Sequence, residues 1–262
     1  MVAMQRFSHD GFDFAFVDRE AGDGPGDGQP IILIHGFASN HMTNWVSPGW
    51  MKTLSDAGYR AIAFDHRGHG ATSKSYNTAD YTPSKMAGDA VALLDHLGVA
   101  EAHVMGYSMG ARVSAFMALE HPHRVATLIF GGLGSGMVDG VGDWDPIAAA
   151  LLAEDPTNVT NARGRSFRTF ADQTKSDRKA LAACIATSRQ ELSEADMGRI
   201  AQPTLIAVGT RDDIGGSASE LAALMPNAVA FDIEGRDHML AVGDRTFKER
   251  VLEFLSAHPI RG

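Results

Sequence analysis

The chain predicts an α/β fold: a mostly parallel, twisted sheet with helices on both faces, plus a small helical cap. Three observations carry that expectation. Short apolar runs such as Ile31-Ile32-Leu33-Ile34 and Thr204-Leu205-Ile206-Ala207-Val208 have the length and branching of strands covered on both faces. Between such runs lie stretches of helical period closed by glycine, as from Tyr81 to Gly98. One long stretch, Ser135 to Arg199, has little strand character and several short helix-like pieces, which marks it as an insertion. The expected division is therefore a core of residues 1–134 and 200–262 with a helical cap at 135–199.

Taken in order, Phe7 to Val17 alternates in part around His9-Asp10-Gly11 and predicts an edge hairpin. Glu20 to Pro30, dense in glycine and aspartate, predicts a mobile surface loop. The strand Ile31 to Ile34 runs into His35-Gly36-Phe37-Ala38-Ser39, where glycine permits a tight turn that leaves the Phe37 N–H free to face a cleft. Trp45 to Gly58 predicts a helix, Arg60 to Phe64 a strand, and Asp65 to Gly70 a tight polar turn. His66 and His69 in that turn have no matched partner in metal-ligand spacing, so they are assigned hydrogen-bonded structural roles. Tyr81 to Leu97 is helical in period, starting at Thr82 or Pro83 and closed by Gly98.

His103 to Glu120 reads as a strand that turns sharply into a helix, with Ser108 at the bend. Gly106-Tyr107-Ser108-Met109-Gly110 matches G-x-S-x-G, in which the serine is held in a strained backbone conformation and larger side chains two residues away would collide. Val113, Phe116, Met117 and Leu119 mark one face of the following helix. After the strand Arg124 to Phe130 comes the insertion. Its alternating charges, Arg163, Arg165, Arg168, Asp172 and Lys175, read as a solvated outer face. Its aromatics Trp144, Phe167 and Phe170 either line an apolar acyl pocket or pack the cap on the core. The sheet resumes at Pro203 to Val208, which ends in Gly209-Thr210-Arg211-Asp212-Asp213. A helix from Ser217 to Leu224, a strand from Ala228 to Ile233 leading to Asp237-His238, and an amphipathic helix from Asp244 to Ala257 complete the pattern. That last helix sets Phe247, Val251, Phe254 and Leu255 on one face.

Composition excludes several classes. A formal net charge of −9 disfavours binding to a phosphate backbone, so no nucleic-acid partner is expected. No apolar run is long enough to span a bilayer, and the N-terminal stretch lacks a charged-then-apolar signal pattern, which places the protein in the cytoplasm with no membrane partner. The one cysteine, Cys184, rules out an internal disulfide framework or a cysteine-based metal cluster and is read as a packed thiol. Neither a metal nor an organic cofactor is expected. Self-association is left open.

In a parallel sheet the residues just past the carboxyl ends of the strands share one rim, so Phe37, Ser108, Asp212 and His238 can meet. A serine hydroxyl is a poor nucleophile at neutral pH unless a base takes its proton, and imidazole suits that task. His238 is the expected base. Asp212 would fix its tautomer and stabilise the imidazolium; Asp213 stays open as the alternative, Asp212 being preferred because it stands nearer the strand end. The backbone N–H groups of Phe37 and Met109 would form the oxyanion hole. Asp237 is expected to be a surface or turn carboxylate, His121, His123 and His258 lie by helix ends, and His96 and His103 flank the strand before Ser108 on the wrong side.

The landmarks His35-Gly36, Asp65-x-Arg67-Gly68-x-Gly70-x-x-Ser73, Gly106-Tyr107-Ser108-Met109-Gly110, Gly209-x-x-Asp212 and the late His238 resemble those of the α/β-hydrolase family, in its order and over essentially the whole chain. The resemblance implies the α/β-hydrolase fold, triad roles for Ser108, Asp212 and His238, and oxyanion roles for Phe37 and Met109. Serine at the elbow departs from the aspartate of the family's haloalkane dehalogenases and epoxide hydrolases, which disfavours those activities. The expectation is a serine hydrolase acting on small to medium carboxylic esters or a related acyl substrate. The alternatives are a C–C bond or enol-lactone hydrolase of a ring-cleavage product, for which Arg112 is the candidate carboxylate holder with a helix-surface role equally open to it, and a slow-turnover ligand receptor on the same scaffold.

Overall fold

The computed structural model describes residues 2–261. Eight strands are present: β1 (Met4–His9), β2 (Phe12–Arg19), β3 (Pro30–Ile34), β4 (Arg60–Phe64), β5 (Ala102–Tyr107), β6 (Val125–Gly131), β7 (Thr204–Gly209) and β8 (Ala228–Ile233). They form one sheet in the order β1-β2-β4-β3-β5-β6-β7-β8. From β4 to β8 all pairs are parallel, whereas β1 pairs with β2, and β2 with β4, antiparallel. The expected edge hairpin is thus present. Its turn places Asp10 and Gly11 at φ 48° and 77°, the left-handed pair that a two-residue hairpin turn requires.

Helices α1 (Trp50–Asp56), α2 (Pro83–His96) and α3 (Met109–Glu120) follow β3, β4 and β5. Between β6 and β7 the chain is entirely helical and irregular, with α4 (Gly136–Asp139), α5 (Asp145–Leu152), α6 (Ala162–Gln173), α7 (Arg178–Ile185) and α8 (Glu194–Arg199); α9 (Ala218–Ala223) and α10 (Arg245–Ala257) complete the chain. Two apolar layers result. Side chains of α1 and α10, including Trp50, Leu54, Phe247, Val251 and Leu255, cover one face of the sheet. Those of α2, α3 and α9 cover the other, and the apolar side chains of the helices after β6 are continuous with that layer. Among the described residues no helix is long and apolar enough to cross a membrane.

Local chemistry sets the helix ends. Thr82 caps α2 by accepting from the Lys85 N–H, Pro83 occupies the first turn where a missing N–H costs nothing, and Gly98 beyond the end takes φ 67°. The final helix is capped by Asp244, as its Asp-x-Thr start suggests.

Four expectations are corrected. The segment from Trp45 to Gly58 is not one helix: a π-type turn at Met42–Val46 ends before Pro48, and α1 begins only after Gly49 at φ 87°. Proline lacks the N–H to continue a helix, and the left-handed glycine redirects the chain. The Glu20 to Pro30 loop lies on the surface but is fitted to the turn after α1, with Gly22, Gly26 and Gly28 N–H groups donating to the Ser55, Ala57 and Gly58 carbonyls at 2.8–2.9 Å. α3 has no solvent face over most of its length: Met109 to Ala118 are all buried, because helices lie on both sides of it. Finally, the charges between β6 and β7 are not all solvated. Arg168 is buried and its Nη1 donates to the Ala150 and Ala153 carbonyls at 2.9 and 2.7 Å, joining α6 to the end of α5.

Candidate active site

Ser108 sits between β5 and α3 at φ 55°, ψ −114°, a conformation costly for any residue with a Cβ. It persists because the surroundings determine it. The Ser108 N–H donates to the Gly131 carbonyl at 2.8 Å, and its own carbonyl accepts from Ala111 and Arg112. A side chain on Gly106 would strike the Gly110 carbonyl, and one on Gly110 the Ile34 carbonyl, so both motif glycines are dictated by backbone contact.

His238 follows β8 and meets Ser108 from the other side. Its Nε2 lies 3.0 Å from Ser108 Oγ, and its Nδ1 lies 2.8 Å from Asp212 Oδ2. An ionised carboxylate only accepts, so Nδ1 carries the proton and Nε2 is left to accept from the serine hydroxyl. Asp212 Oδ1 accepts the N–H groups of Ile214 and Gly215 at 2.8 and 2.9 Å. Burial alone would raise the Asp212 carboxyl, but the bond from His238 and these two backbone donors hold it below the usual carboxylate range. Asp213 is exposed and not bonded to His238, so of the two candidate acids Asp212 is the one brought to the imidazole. Asp237 has the turn role expected, its Oδ1 accepting from the Met239 and Leu240 N–H groups.

At the β3 end Gly36, Phe37 and Ala38 fold over the serine. The N–H groups of Phe37 and Met109 have no protein acceptor among the described residues. The Gly36 N–H donates to Asn44 Oδ1 at 3.0 Å, and Ala38 is held at φ 59°. His35 braces this turn: its Nδ1 donates to the Gly36 carbonyl at 2.8 Å while Nε2 accepts from the His66 N–H at 3.0 Å. His66 itself corrects the expectation of hydrogen-bonded histidines, since among the described residues neither of its ring nitrogens has a protein partner, nor does His69 Nε2. Burial, reinforced by neighbouring imidazoles, holds His35 and His66 well below the ordinary histidine value, and burial brings His69 to about 4. Among the described residues no cluster of histidine, cysteine, aspartate and glutamate has the makings of a metal site.

Two cavities meet at Ser108. One of about 360 Å³ is lined by Trp144, Phe167 and Phe170 together with His238, Met239 and Leu240. The other, about 30 Å³, is bounded by Met109, Leu133, Ile185 and Arg112. The three aromatics both line and pack: Phe37 lies 6.2 Å from Trp144 and 5.8 Å from Phe167, ring centre to ring centre. Arg112 is neither a helix-surface residue nor free to hold a carboxylate. It is buried, and its guanidinium donates to the Gly136, Met137 and Gln190 carbonyls, each at 2.9 Å. Burial lowers it to about 10, against the opposing charge of Glu191.

A model of the α/β hydrolase fold matches residues 29–166, more than half of the chain. The chain belongs to the α/β-hydrolase fold family. It is 39% identical over 101 residues to the dihydrolipoyllysine-residue acetyltransferase component of the acetoin cleaving system of Pseudomonas putida, a match covering 38% of this chain and 26% of that one. It is 37% identical over 112 residues to epoxide hydrolase B of Mycobacterium tuberculosis, covering 41% and 30%. The matched stretches thus span less than a third of either relative. The crystal structure of a hydrolase from Pseudomonas aeruginosa superposes with a TM-score of 0.75 at 25% identity, over 96% of this chain and 98% of that one.

Two contributors were not legible beforehand. Asn44 lies in an irregular segment with no motif, and nothing in its neighbours announces a bond to Gly36. Tyr107 fills an unconstrained position of the serine motif, yet its hydroxyl donates to the His238 carbonyl at 2.6 Å and ties the histidine loop to the serine strand.

Proposed function

We propose that this member of the family is a serine hydrolase that cleaves small to medium carboxylic esters through an acyl-enzyme. What carries the reading is the unbroken hydrogen-bonded line from Asp212 through His238 to Ser108, at 2.8 and 3.0 Å, beside two unengaged backbone N–H groups. Ser108 Oγ attacks the ester carbonyl carbon while its proton passes to His238 Nε2, and Asp212 stabilises the imidazolium. The carbonyl oxygen, now negative, faces the N–H groups of Phe37 and Met109, donors worth about 3 to 4 kcal/mol each in comparable sites. As the intermediate collapses, the ester C–O bond breaks and His238 returns the proton to the departing oxygen. Water, activated by the same imidazole, then releases the acid and restores Ser108. The cycle balances with water as its one co-reactant.

In this reading residues 135–199 act as the cap, closing the cavity with Trp144, Phe167 and Phe170. Serine as the attacking group favours acyl transfer over epoxide opening, and the engagement of Arg112 with three backbone carbonyls removes the candidate on which the dienone-acid alternative rested. The test is a stopped-flow burst with p-nitrophenyl acetate. One equivalent of p-nitrophenolate is expected before steady state, and Ser108→Ala, with unchanged circular dichroism and Tm, is expected to lose on the order of 10³-fold or more in kcat. Undiminished turnover in that variant overturns the proposal. Thermal stabilisation by ester analogues without repeated turnover identifies a receptor instead.

A further inference from the structure

The two cavities at Ser108 are unequal in size, and the path of the proton tells which half of an ester each receives. The small one, about 30 Å³, is walled by Met109, Leu133, Val141, Ile185 and Ile214 and has no contribution from His238. The large one, about 360 Å³, has His238, Met239 and Leu240 in its wall. Phe37, Ser108 and Trp144 belong to both, so the Trp144 indole stands as a partition between them.

The departing oxygen must take its proton from His238 Nε2 as the C–O bond breaks, which requires it to lie on the histidine side. The acyl chain then points the other way, past Met109, into the small cavity. Resting on the ester-hydrolase reading above, we propose that this asymmetry restricts the protein to short acyl groups, acetyl or propionyl, carried on bulky apolar alcohols or phenols. About 10–15 Å³ of such cavity space is what one water-sized group needs, so the acyl side matches a methyl or an ethyl. On the alcohol side Met239 and Leu240 are 54% and 60% exposed and form an apolar lip to the large cavity, suited to a hydrophobic leaving group.

The limit on acyl length is a wall rather than solid core. Beyond the small cavity lies a cleft of about 460 Å³, and Val141, Trp144 and Arg189 line both spaces. Those residues are tied to neighbouring segments. The Val141 carbonyl accepts from Arg163 Nη1 at 2.9 Å, Arg189 donates to Asp145 at 3.1 Å, and Trp144 packs edge-on against Phe37. Val141 does not touch the large cavity, so shortening it opens the acyl side alone.

The experiment measures kcat/KM for p-nitrophenyl acetate, propionate, butyrate and hexanoate, and, by pH-stat, for the acetates of methanol, 1-hexanol and 2-phenylethanol. The parent protein is expected to lose about 10-fold or more on passing from propionate to butyrate, and to improve with alcohol size. In Val141→Ala the butyrate-to-acetate ratio is expected to rise by about 10-fold or more while the alcohol series is unchanged. Should that variant fail to fold, Val141→Leu, which narrows the same cavity, is expected to lower propionate relative to acetate. Hydrolysis with a flat or reversed acyl order, or a cutoff that neither Val141 variant moves, overturns the partition and leaves the ester reading standing. No hydrolysis of any of these esters overturns both.

Discussion

A single histidine and a cluster of three stand on the same rim, at the ends of different strands, and the fold surrounds their imidazoles in opposite ways. At the β8 end His238 has a carboxylate on one nitrogen and a hydroxyl on the other, so each ring atom that can bond does so. At the β3 and β4 ends His35, His66 and His69 stack edge to face, with His35 lying 4.6 and 5.2 Å from the other two, and three of their six ring nitrogens have no protein partner. In the proposed mechanism the first arrangement passes a proton. The second disfavours one, because burial, reinforced at His35 and His66 by neighbouring imidazoles, lowers the pKa of all three rings. On the proposed mechanism, the difference is that a histidine serving as base needs an acceptor behind it and a proton donor in front, which His238 has and the trio lacks.

The comparison breaks most sharply at Asp212. Asp212→Asn replaces the acceptor at His238 Nδ1 with an amide that can stabilise the wrong tautomer, and a kcat loss on the order of 10³ to 10⁴-fold is expected with little change in fold. Asp213→Asn is expected to stay close to the parent, since that carboxylate is exposed. Steady-state hydrolysis of an activated ester decides, and a larger loss at residue 213 than at 212 reverses the assignment.

The buried trio predicts acid sensitivity. Its folded-state values lie below the ordinary value of 6.5, with His69 at about 4, so the unfolded chain binds more protons between those limits. Stability is therefore full above pH 6.5 and falls as the pH drops from there toward 4, by about 1.4 kcal/mol per pH unit for each imidazole. Urea unfolding at pH 7, 6 and 5 measures the slope. His66→Leu, which removes a ring with no protein hydrogen bonds, is expected to reduce that slope by about one proton. An unchanged slope shows that the acid loss comes from elsewhere.

The smallest effect sharpens how His238 is held. Tyr107→Phe removes the buried donor to the His238 carbonyl and is expected to cost about 1–3 kcal/mol in stability. Its kcat should fall far less than that of Asp212→Asn, because the side chain's own partners remain. Denaturation midpoints and kcat measured on the same samples separate the two outcomes.

The parts legible beforehand were those with a local cause. The strand runs around Ile32 and Ile206, the Thr82-Pro83 start of α2 and the glycine-flanked serine each announce their conformation through sterics and hydrogen-bonding within a few residues. Asp212 and Asp213 could be ranked but not separated, since adjacent side chains differ only in where the backbone turn aims them. Arg168 was read as part of a solvated face, and Arg112 as a candidate carboxylate holder or a helix-surface group, for a related reason: a helical position does not reveal that other segments will cover it or offer unpaired carbonyls.

The sequence by itself determined the order of strands and helices, the fold family and the set of chemically able side chains, because backbone geometry and periodicity act over short range. Tertiary structure alone decided that Asp212 rather than Asp213 reaches His238, that three histidines are sealed away neutral, and that Trp144 and Val141 divide the space around Ser108 so unequally. Those outcomes depend on which distant surfaces pack together, and packing responds to shape over the whole molecule.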